Sequence, residues 1–98
     1  MVAYVWHVPD SRYMENATSC TDISSYARLL AIRLRSLRVE RGLTQEQVAY
    51  RSGISTYTYQ KFEKGESKPG TPMIPRLSTL LSLAETFEVD IRELLSFK

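Results

Sequence analysis

Signals that mark the boundaries of two short helices follow one another closely in the middle of this sequence. Thr44 and Gln47 have the spacing of a capping box, in which two side chains reciprocally satisfy free backbone N–H groups at a helix start. Gly53 can adopt the positive φ of a tight turn, Ser55 can cap a second helix, and Gly65 can end it. The spacing therefore predicts two short helices joined by a glycine turn.

Helical periodicity precedes this pair of helices. A helix is predicted over residues 23–41, with Asp22 as its N-cap and Gly42 at its end. Its apolar face is marked by leucines at three- and four-residue steps, Leu30, Leu34 and Leu37.

Two further helices are predicted after the pair. The prolines and glycine of residues 66–75 are expected to break any regular element, and a fourth helix should begin at Pro75 or just after it. Asp90 and Glu93 predict the capped start of a last short helix. The expected fold is all-α with five helices, and the apolar stripe of the fourth consists of Leu77, Leu80, Leu81, Ala84 and Phe87.

Residues 1–22 differ from the rest of the chain. Apolar residues alternate partly with others at Val2, Tyr4, Trp6 and Val8, and a polar stretch rich in Ser, Thr and Asn follows. We interpret these residues as an N-terminal arm, either a short strand or a flexible tail, that could bind a protein partner. Residues 23–98 would then form the folded domain.

Composition excludes several classes of function. An apolar fraction of 43% and a charged fraction of 24% are typical of soluble domains, and the apolar runs are too short to span a membrane. The N-terminal residues do not show the basic cluster followed by an apolar stretch that is typical of a secretory signal, so the expected location is the cytoplasm. His7 and Cys20 are each the only residue of their type, and no glycine-rich phosphate loop or acidic metal cluster is present. We therefore expect no enzyme activity, no cofactor and no metal site.

The third helix has distinct inner and outer faces. At about 100° per residue, Tyr59 and Phe62 fall on one side, which we expect to be buried, with Ile54 filling the space between the two short helices. The opposite side carries polar and basic residues, Thr56, Tyr57, Gln60, Lys61 and Lys64.

The sequence resembles a known family at three places: LTQEQVA at 43–49, GIS at 53–55 and FEKG at 62–65. These motifs are similar to those of the Cro and phage-repressor type of helix-turn-helix, the XRE family, over about residues 34–95. Small Ala49 would leave room for the crossing helix, and Gly53 would make the tight turn. The resemblance implies a five-helix, lambda-repressor-like DNA-binding domain that places the helix of residues 56–64 in the major groove.

The resemblance also assigns roles to individual residues. It implies a partly buried salt bridge between Arg38 and Glu63, and a phosphate contact for Gln45, which would also brace the recognition helix. The expected contacts to DNA bases are made by Thr56, Tyr57, Gln60 and Lys61.

Charge is concentrated in the centre of the chain. Residues 28–76 carry ten Lys or Arg against four Glu, a net of +6, whereas residues 1–27 and 77–98 each sum to −2. A basic centre fits phosphate binding, although a solvated face gives the same count. The expected phosphate contacts lie in or beside the motif: Gln45, Arg51, Thr58, Lys64, Lys68, Thr71 and Arg76.

The sequence departs from the family pattern at two places. About six extra residues between Lys68 and Ile74 lengthen the loop after the recognition helix, which could follow the DNA backbone or touch a second subunit. Glu88 stands where the pattern favours glycine, so the turn there should be strained or differently shaped.

These features predict sequence-specific binding of double-stranded DNA by a homodimer, with transcriptional repression favoured over activation. The alternative is an antitoxin-like module whose arm, residues 1–22, binds a partner while the helix-turn-helix binds the partner's promoter. RNA binding is disfavoured, since the outward aromatic residues are too few for a stacking platform.

Overall fold

The computed structural model describes residues 22–97. Five helices and one small hairpin lie within this range, in the order α1 (Ile23–Glu40), α2 (Gln45–Ser52), α3 (Thr56–Lys64), β1 (Glu66–Lys68), β2 (Thr71–Pro72), α4 (Leu77–Phe87) and α5 (Ile91–Leu94). The predicted arm, residues 1–22, lies outside the described residues except for Asp22. No helix of the described range is long and apolar enough to cross a membrane.

The helix starts follow the predicted capping signals. The Asp22 side chain accepts a hydrogen bond from the backbone N–H of Ser24 at 3.1 Å, which caps α1. At the start of α2, Thr44 and Gln47 form the complete capping box, with distances of 2.9 and 3.0 Å. Asp90 caps α5 in the same reciprocal way with Glu93. The predicted five-helix architecture is confirmed, and side-chain hydrogen bonds cap the start of every helix except α4.

Each of the two short helices ends at a glycine in the left-handed conformation. Gly53 has φ 76° and ends α2, and Gly65 has φ 82° and ends α3. A side chain at Gly65 would also approach the backbone oxygen of Ala27 to 3.4 Å. That distance is ordinary van der Waals contact, so glycine is favoured at Gly65 by its φ angle.

The expectation that residues 66–75 contain no regular element is wrong. Strands β1 and β2 pair antiparallel, with Glu66 opposite Pro72 and Lys68 opposite Thr71. Pro69 and Gly70 form the two-residue turn between the strands, and Gly70 has φ 82°. Turn residues at a hairpin tip allow pairing on either side. The extra residues therefore form a hairpin directly after α3.

The core is built from residues of all five helices. The predicted inner face of α3 is buried at Tyr59 and Phe62, with Ile54 partly buried against the same core. The other buried members of this cluster are Leu30, Leu34, Leu37, Val48, Ala49, Leu83, Ala84, Phe87 and Leu94. The stripe predicted for α4 is wrong at two positions: Leu77 and Leu81 are 66% and 49% exposed, because the buried side of this helix is centred on Leu83 and Phe87. Packing of α1 and α2 against α3 fixes which side of α3 reaches the surface.

The turn after α4 has the left-handed backbone conformation typical of glycine, but a glutamate, Glu88, occupies it. Glu88 has φ 59° and ψ 41°, and the backbone N–H of Val89 donates to the carbonyl oxygen of Ala84 at 3.0 Å. Glu88 is the only non-glycine residue of the described range with a positive φ. The expected strain is therefore present, because a side chain in this conformation crowds its own backbone.

Candidate nucleic-acid interface

Helix α3 presents one face to the core and the other to the surface. Its start is fixed by Ser55, whose hydroxyl accepts a hydrogen bond from the backbone N–H of Thr58 at 3.0 Å. On the outer side Tyr57, Gln60 and Lys64 are exposed, and Lys61 is half-buried. The surface side therefore offers a phenol ring, an amide and two ammonium groups from a single short helix.

A groove of about 600 Å³ runs along this outer face. It brings together three of the four residues expected to contact bases, namely Tyr57, Gln60 and Lys61. Three of the expected phosphate contacts line the same groove, namely Gln45, Lys64 and Lys68. The hairpin supplies one wall, so the unexpected strands extend the candidate site beyond α3.

Several expected contacts lie elsewhere. Thr56 begins α3 but does not line the groove, and the Thr58 hydroxyl accepts a hydrogen bond from the Ser55 hydroxyl at 2.9 Å. The others outside it are Arg51 in the last turn of α2, Thr71 in β2 and Arg76 at the N-cap of α4. These residues border the motif without sharing its central groove.

One groove residue was missed by sequence reasoning. Arg35, on α1, lines the groove beside Lys61 and Lys64. Its spacing from Arg38 was the available signal, since residues three apart lie on the same side of a helix. The sequence alone did not show that this side of α1 borders α3.

A chain of hydrogen bonds holds the groove floor. The Arg38 guanidinium donates to both carboxylate oxygens of Glu63, at 2.6 and 3.1 Å, and to the carbonyl oxygen of Leu43 at 3.1 Å. The Gln45 amide donates to Glu63 at 3.0 Å, and the Gln60 amide donates to the Gln45 side-chain oxygen at 3.3 Å. The structure thus places Arg38 and Glu63 in a salt bridge and connects it to two polar groups of the groove.

Burial and charge both act on the ionisation of this cluster. Burial alone opposes the charged form of Glu63, but the hydrogen bonds from Arg38 and Gln45 and the Arg38 charge outweigh it and hold the pKa of Glu63 below its ordinary value. Burial and the nearby Glu63 carboxylate raise the pKa of Tyr59. Glu63 is therefore anionic and Tyr59 neutral near neutral pH.

A second contact organises the outer face. The Lys61 ammonium lies over the Tyr57 ring, with Nζ 4.2 Å from the ring centroid. Cation–π contacts at exposed sites contribute on the order of 0.5–1 kcal/mol. This contact keeps a positive charge and an aromatic surface side by side at the middle of the groove.

The charges of the groove suit an anionic partner. Four cationic side chains line the groove: Arg35, Lys61, Lys64 and Lys68. The groove has two acidic residues, Glu63 and Glu66, and the Glu63 carboxylate is already paired with Arg38. Within residues 22–97, no group of three or more His, Cys, Asp or Glu residues could hold a metal ion. The groove offers hydrogen-bond donors and positive charge, which is the chemistry that phosphates and base edges recognise.

Two short helices joined by a glycine turn, with a polar and basic outer face on the second, define a helix-turn-helix, a non-enzymatic DNA-binding class of domain. A family model described as "Helix-turn-helix domain" matches residues 29–96. The chain belongs to this helix-turn-helix family.

The chain is also similar to a curated protein, the cryptic phage CTXphi transcriptional repressor RstR of Vibrio cholerae. The two are 40% identical over 68 residues, which cover 69% of this chain and 56% of the relative. This chain thus spans little more than half the length of that relative. The similarity confirms the resemblance to phage repressors drawn from residues 43–65. No solved structure gives a significant match.

Proposed function

We propose that this protein is a transcriptional repressor that binds a specific sequence of double-stranded DNA by inserting α3 into the major groove. The observation that carries this function is the shared groove, in which the outer face of α3 lies beside cations from α1 and the hairpin. The similarity to a protein named as a phage transcriptional repressor supports repression. The protein would act in the cytoplasm on DNA.

Base reading is assigned to Thr56, Tyr57, Gln60 and Lys61. Lys61 would donate to guanine O6 and N7, and the Gln60 amide has the donor and acceptor that match the edge of adenine. The Tyr57 ring or the Thr56 methyl would pack against a thymine methyl group. The hydrogen bond from Gln60 to Gln45 supports this assignment, because it positions the Gln60 amide before DNA binds.

Phosphate binding is assigned to residues on both sides of α3. Gln45 begins α2, where free backbone N–H groups and the helix dipole favour an anion. Lys64 and Lys68 share the groove, and Arg35 joins them from α1. Contacts further along the DNA backbone would come from Arg51, Thr58, Thr71 and Arg76.

The protein would bind as a homodimer. A single α3 of nine residues reads only a few base pairs, and related half-sites about one helical turn apart, roughly 34–36 Å, require two copies. The bound site would then be a palindrome.

The first test is selection of bound sequences from a random duplex pool, followed by affinity measurements at two salt concentrations. We expect a palindrome to be enriched and the affinity for it to fall steeply with salt, because phosphate contacts release counterions. No enrichment, or equal affinity for random DNA, would exclude sequence-specific binding by the protein alone.

Two substitutions then separate base reading from phosphate binding. We expect Lys61→Ala to weaken binding mainly to the selected sequence, whereas Lys64→Ala should weaken binding to all sequences and reduce the salt slope by about 1. Arg92→Ala, which removes an exposed charge outside the groove, is the control and should change neither. Equal losses on selected and random DNA for Lys61→Ala would argue against base reading by that residue.

A further inference from the structure

A second groove, of about 300 Å³, opens elsewhere on the surface. It shares no residue with the groove along the outer face of α3, which is called the basic groove below. It lies between the start of α1, the segment after the hairpin, α4 and the end of the described chain. No charged residue lines it, and its exposed walls are formed by Ile23, Tyr26, Ile74 and Leu95.

Several of the apolar side chains that line this groove are unusually exposed to solvent. Ile74 is 65% exposed and Ile23 is 49% exposed, although both stand in a wall without a single charged residue. Beyond Phe97 lies a neighbouring depression of mixed character, in which Leu29 and Ile32 stand beside Arg33, Ser36 and Ser96. Contiguous apolar surface like that of the groove marks a site that another segment covers.

We propose that the N-terminal arm of the same chain, residues 1–21, covers this apolar groove and inserts Trp6. The arm joins the described structure at Asp22, and the next residue, Ile23, is part of the groove wall. The arm therefore begins at the groove itself.

The composition of the arm fits this placement. Its apolar residues are concentrated at residues 2–8, and residues 10–21, which are mostly polar, separate them from α1. A connection of this length can span at most about 40 Å, so it is long enough for the apolar part to reach back to the groove. Trp6, with neighbours Tyr4 and Val8, supplies the large apolar surface that the groove lacks.

The size of the groove favours the arm over a second copy. A groove of about 300 Å³ has room for one or two large side chains, so an interface between two copies, which buries about 800 Å² on each, would have to extend well beyond it. A tethered segment needs less contact, because the short linker gives it an effective concentration in the millimolar range. A small apolar groove beside the point of attachment therefore suits an intramolecular occupant.

Trp6 is the only tryptophan of the chain, so its fluorescence reports directly on the arm. In the chain of 98 residues we expect a blue-shifted emission and slow quenching by acrylamide, both independent of protein concentration. Ile74→Asp should shift the emission to the red and raise quenching to the level of the denatured chain. Val39→Asp is the matched control, since Val39 is 59% exposed but lies outside the apolar groove, and it should leave both signals unchanged.

A second variant tests the other side of the contact. Val8→Asp alters the arm and changes none of residues 22–97, and it should release Trp6 as Ile74→Asp does. Circular dichroism checks that both variants keep their helices.

Three results would overturn the assignment. A solvent-exposed Trp6 in the unaltered protein would show that the arm does not cover the groove. Shielding that appears only as the protein dimerises in sedimentation experiments would identify a second copy as the occupant. Shielding that survives both Ile74→Asp and Val8→Asp would place Trp6 in another part of the molecule.

Discussion

The salt bridge between Arg38 and Glu63 links α1 to α3 and shows how single residues stabilise the site. Their side chains are only 15% and 5% exposed, so both charges have lost most of their hydration. Such a pair adds little to stability compared with apolar residues of the same volume, but removing one partner leaves a buried charge without compensation. Its value here lies in fixing the orientation of α3 and of Gln45.

We expect Glu63→Gln to lower the free energy of unfolding by about 3 kcal/mol at neutral pH, because the Arg38 charge would remain buried and poorly paired. Urea unfolding monitored by circular dichroism measures this change. The double variant Arg38→Met, Glu63→Leu is the control and should recover most of the loss. A double variant as unstable as Glu63→Gln would show that the lost packing, not the unpaired charge, causes the effect.

The same pair predicts a pH dependence. Because the pKa of Glu63 is lowered in the folded protein, its stabilising contribution is complete above the ordinary pKa of glutamate and disappears as the pH falls through the folded-state pKa. The difference in unfolding free energy between the unaltered protein and Glu63→Gln should therefore shrink on acidification. A difference that stays constant from neutral to acid pH would contradict this coupling.

A substitution at Glu88 is expected to raise the stability of the protein rather than lower it. Replacing Glu88 with glycine should stabilise the protein by about 1 kcal/mol, because glycine adopts the left-handed conformation without the steric cost that Glu88 bears. Thermal unfolding measures the shift. Glu85→Gly, an exposed position three residues earlier and inside α4, is the control and should destabilise by about 1 kcal/mol. Stability losses in both variants would show that the turn is not strained.

At the scale of elements, α4 is the longest helix after α1 and begins without a side-chain cap. Arg76 occupies the N-cap position with an extended backbone, at φ −71° and ψ 157°, but makes no capping hydrogen bond. Serine at this position could accept a hydrogen bond from a free N–H group of the first turn. Arginine at an N-cap is locally unfavourable and is more easily explained by a contact with DNA.

We expect Arg76→Ser to stabilise the protein by about 1 kcal/mol and yet to weaken DNA binding. Arg76→Ala removes the same charge without adding a cap, so it should weaken DNA binding equally without the gain in stability. Both variants should reduce the salt slope of binding by about 1. Unchanged DNA affinity in both variants would remove Arg76 from the phosphate contacts.

Helix boundaries could be predicted from sequence because they depend on nearby residues. The capping box of Thr44 and Gln47 and the glycine at Gly53 act within a few positions of the chain, and the structure contains both. The hairpin was missed because Pro69 and Gly70 have the same local signature in a hairpin turn as in an irregular loop. Arg35 was missed because its place in the groove depends on how α1 packs against α3, which local sequence does not reveal.

At the scale of the whole molecule, the distribution of charge orients the protein. The net charge is only +2, yet residues 28–76 carry +6 and contain every cation of the basic groove. The acidic residues of the C-terminal part, Glu85, Glu88, Asp90 and Glu93, belong to α4, α5 and the turn between them. This asymmetry would repel DNA from the C-terminal helices and direct it toward α3.

The arrangement of two copies on DNA provides the last prediction. In this domain α3 is packed directly into the core, so a dimer would hold its two recognition helices at one fixed separation. Starting from the selected palindrome, we expect insertion of either 5 or 10 base pairs between the half-sites to reduce the affinity to that of a single half-site. Fluorescence anisotropy with labelled duplexes measures these affinities.

Two other outcomes are informative. An insertion of about 10 base pairs adds one full turn of DNA, so both half-sites again lie on the same side of the duplex. If affinity recovers with 10 inserted base pairs but not with 5, the dimer is flexible. Equal affinity at all spacings would show that the copies bind independently, which would contradict the homodimer while leaving recognition by α3 in place.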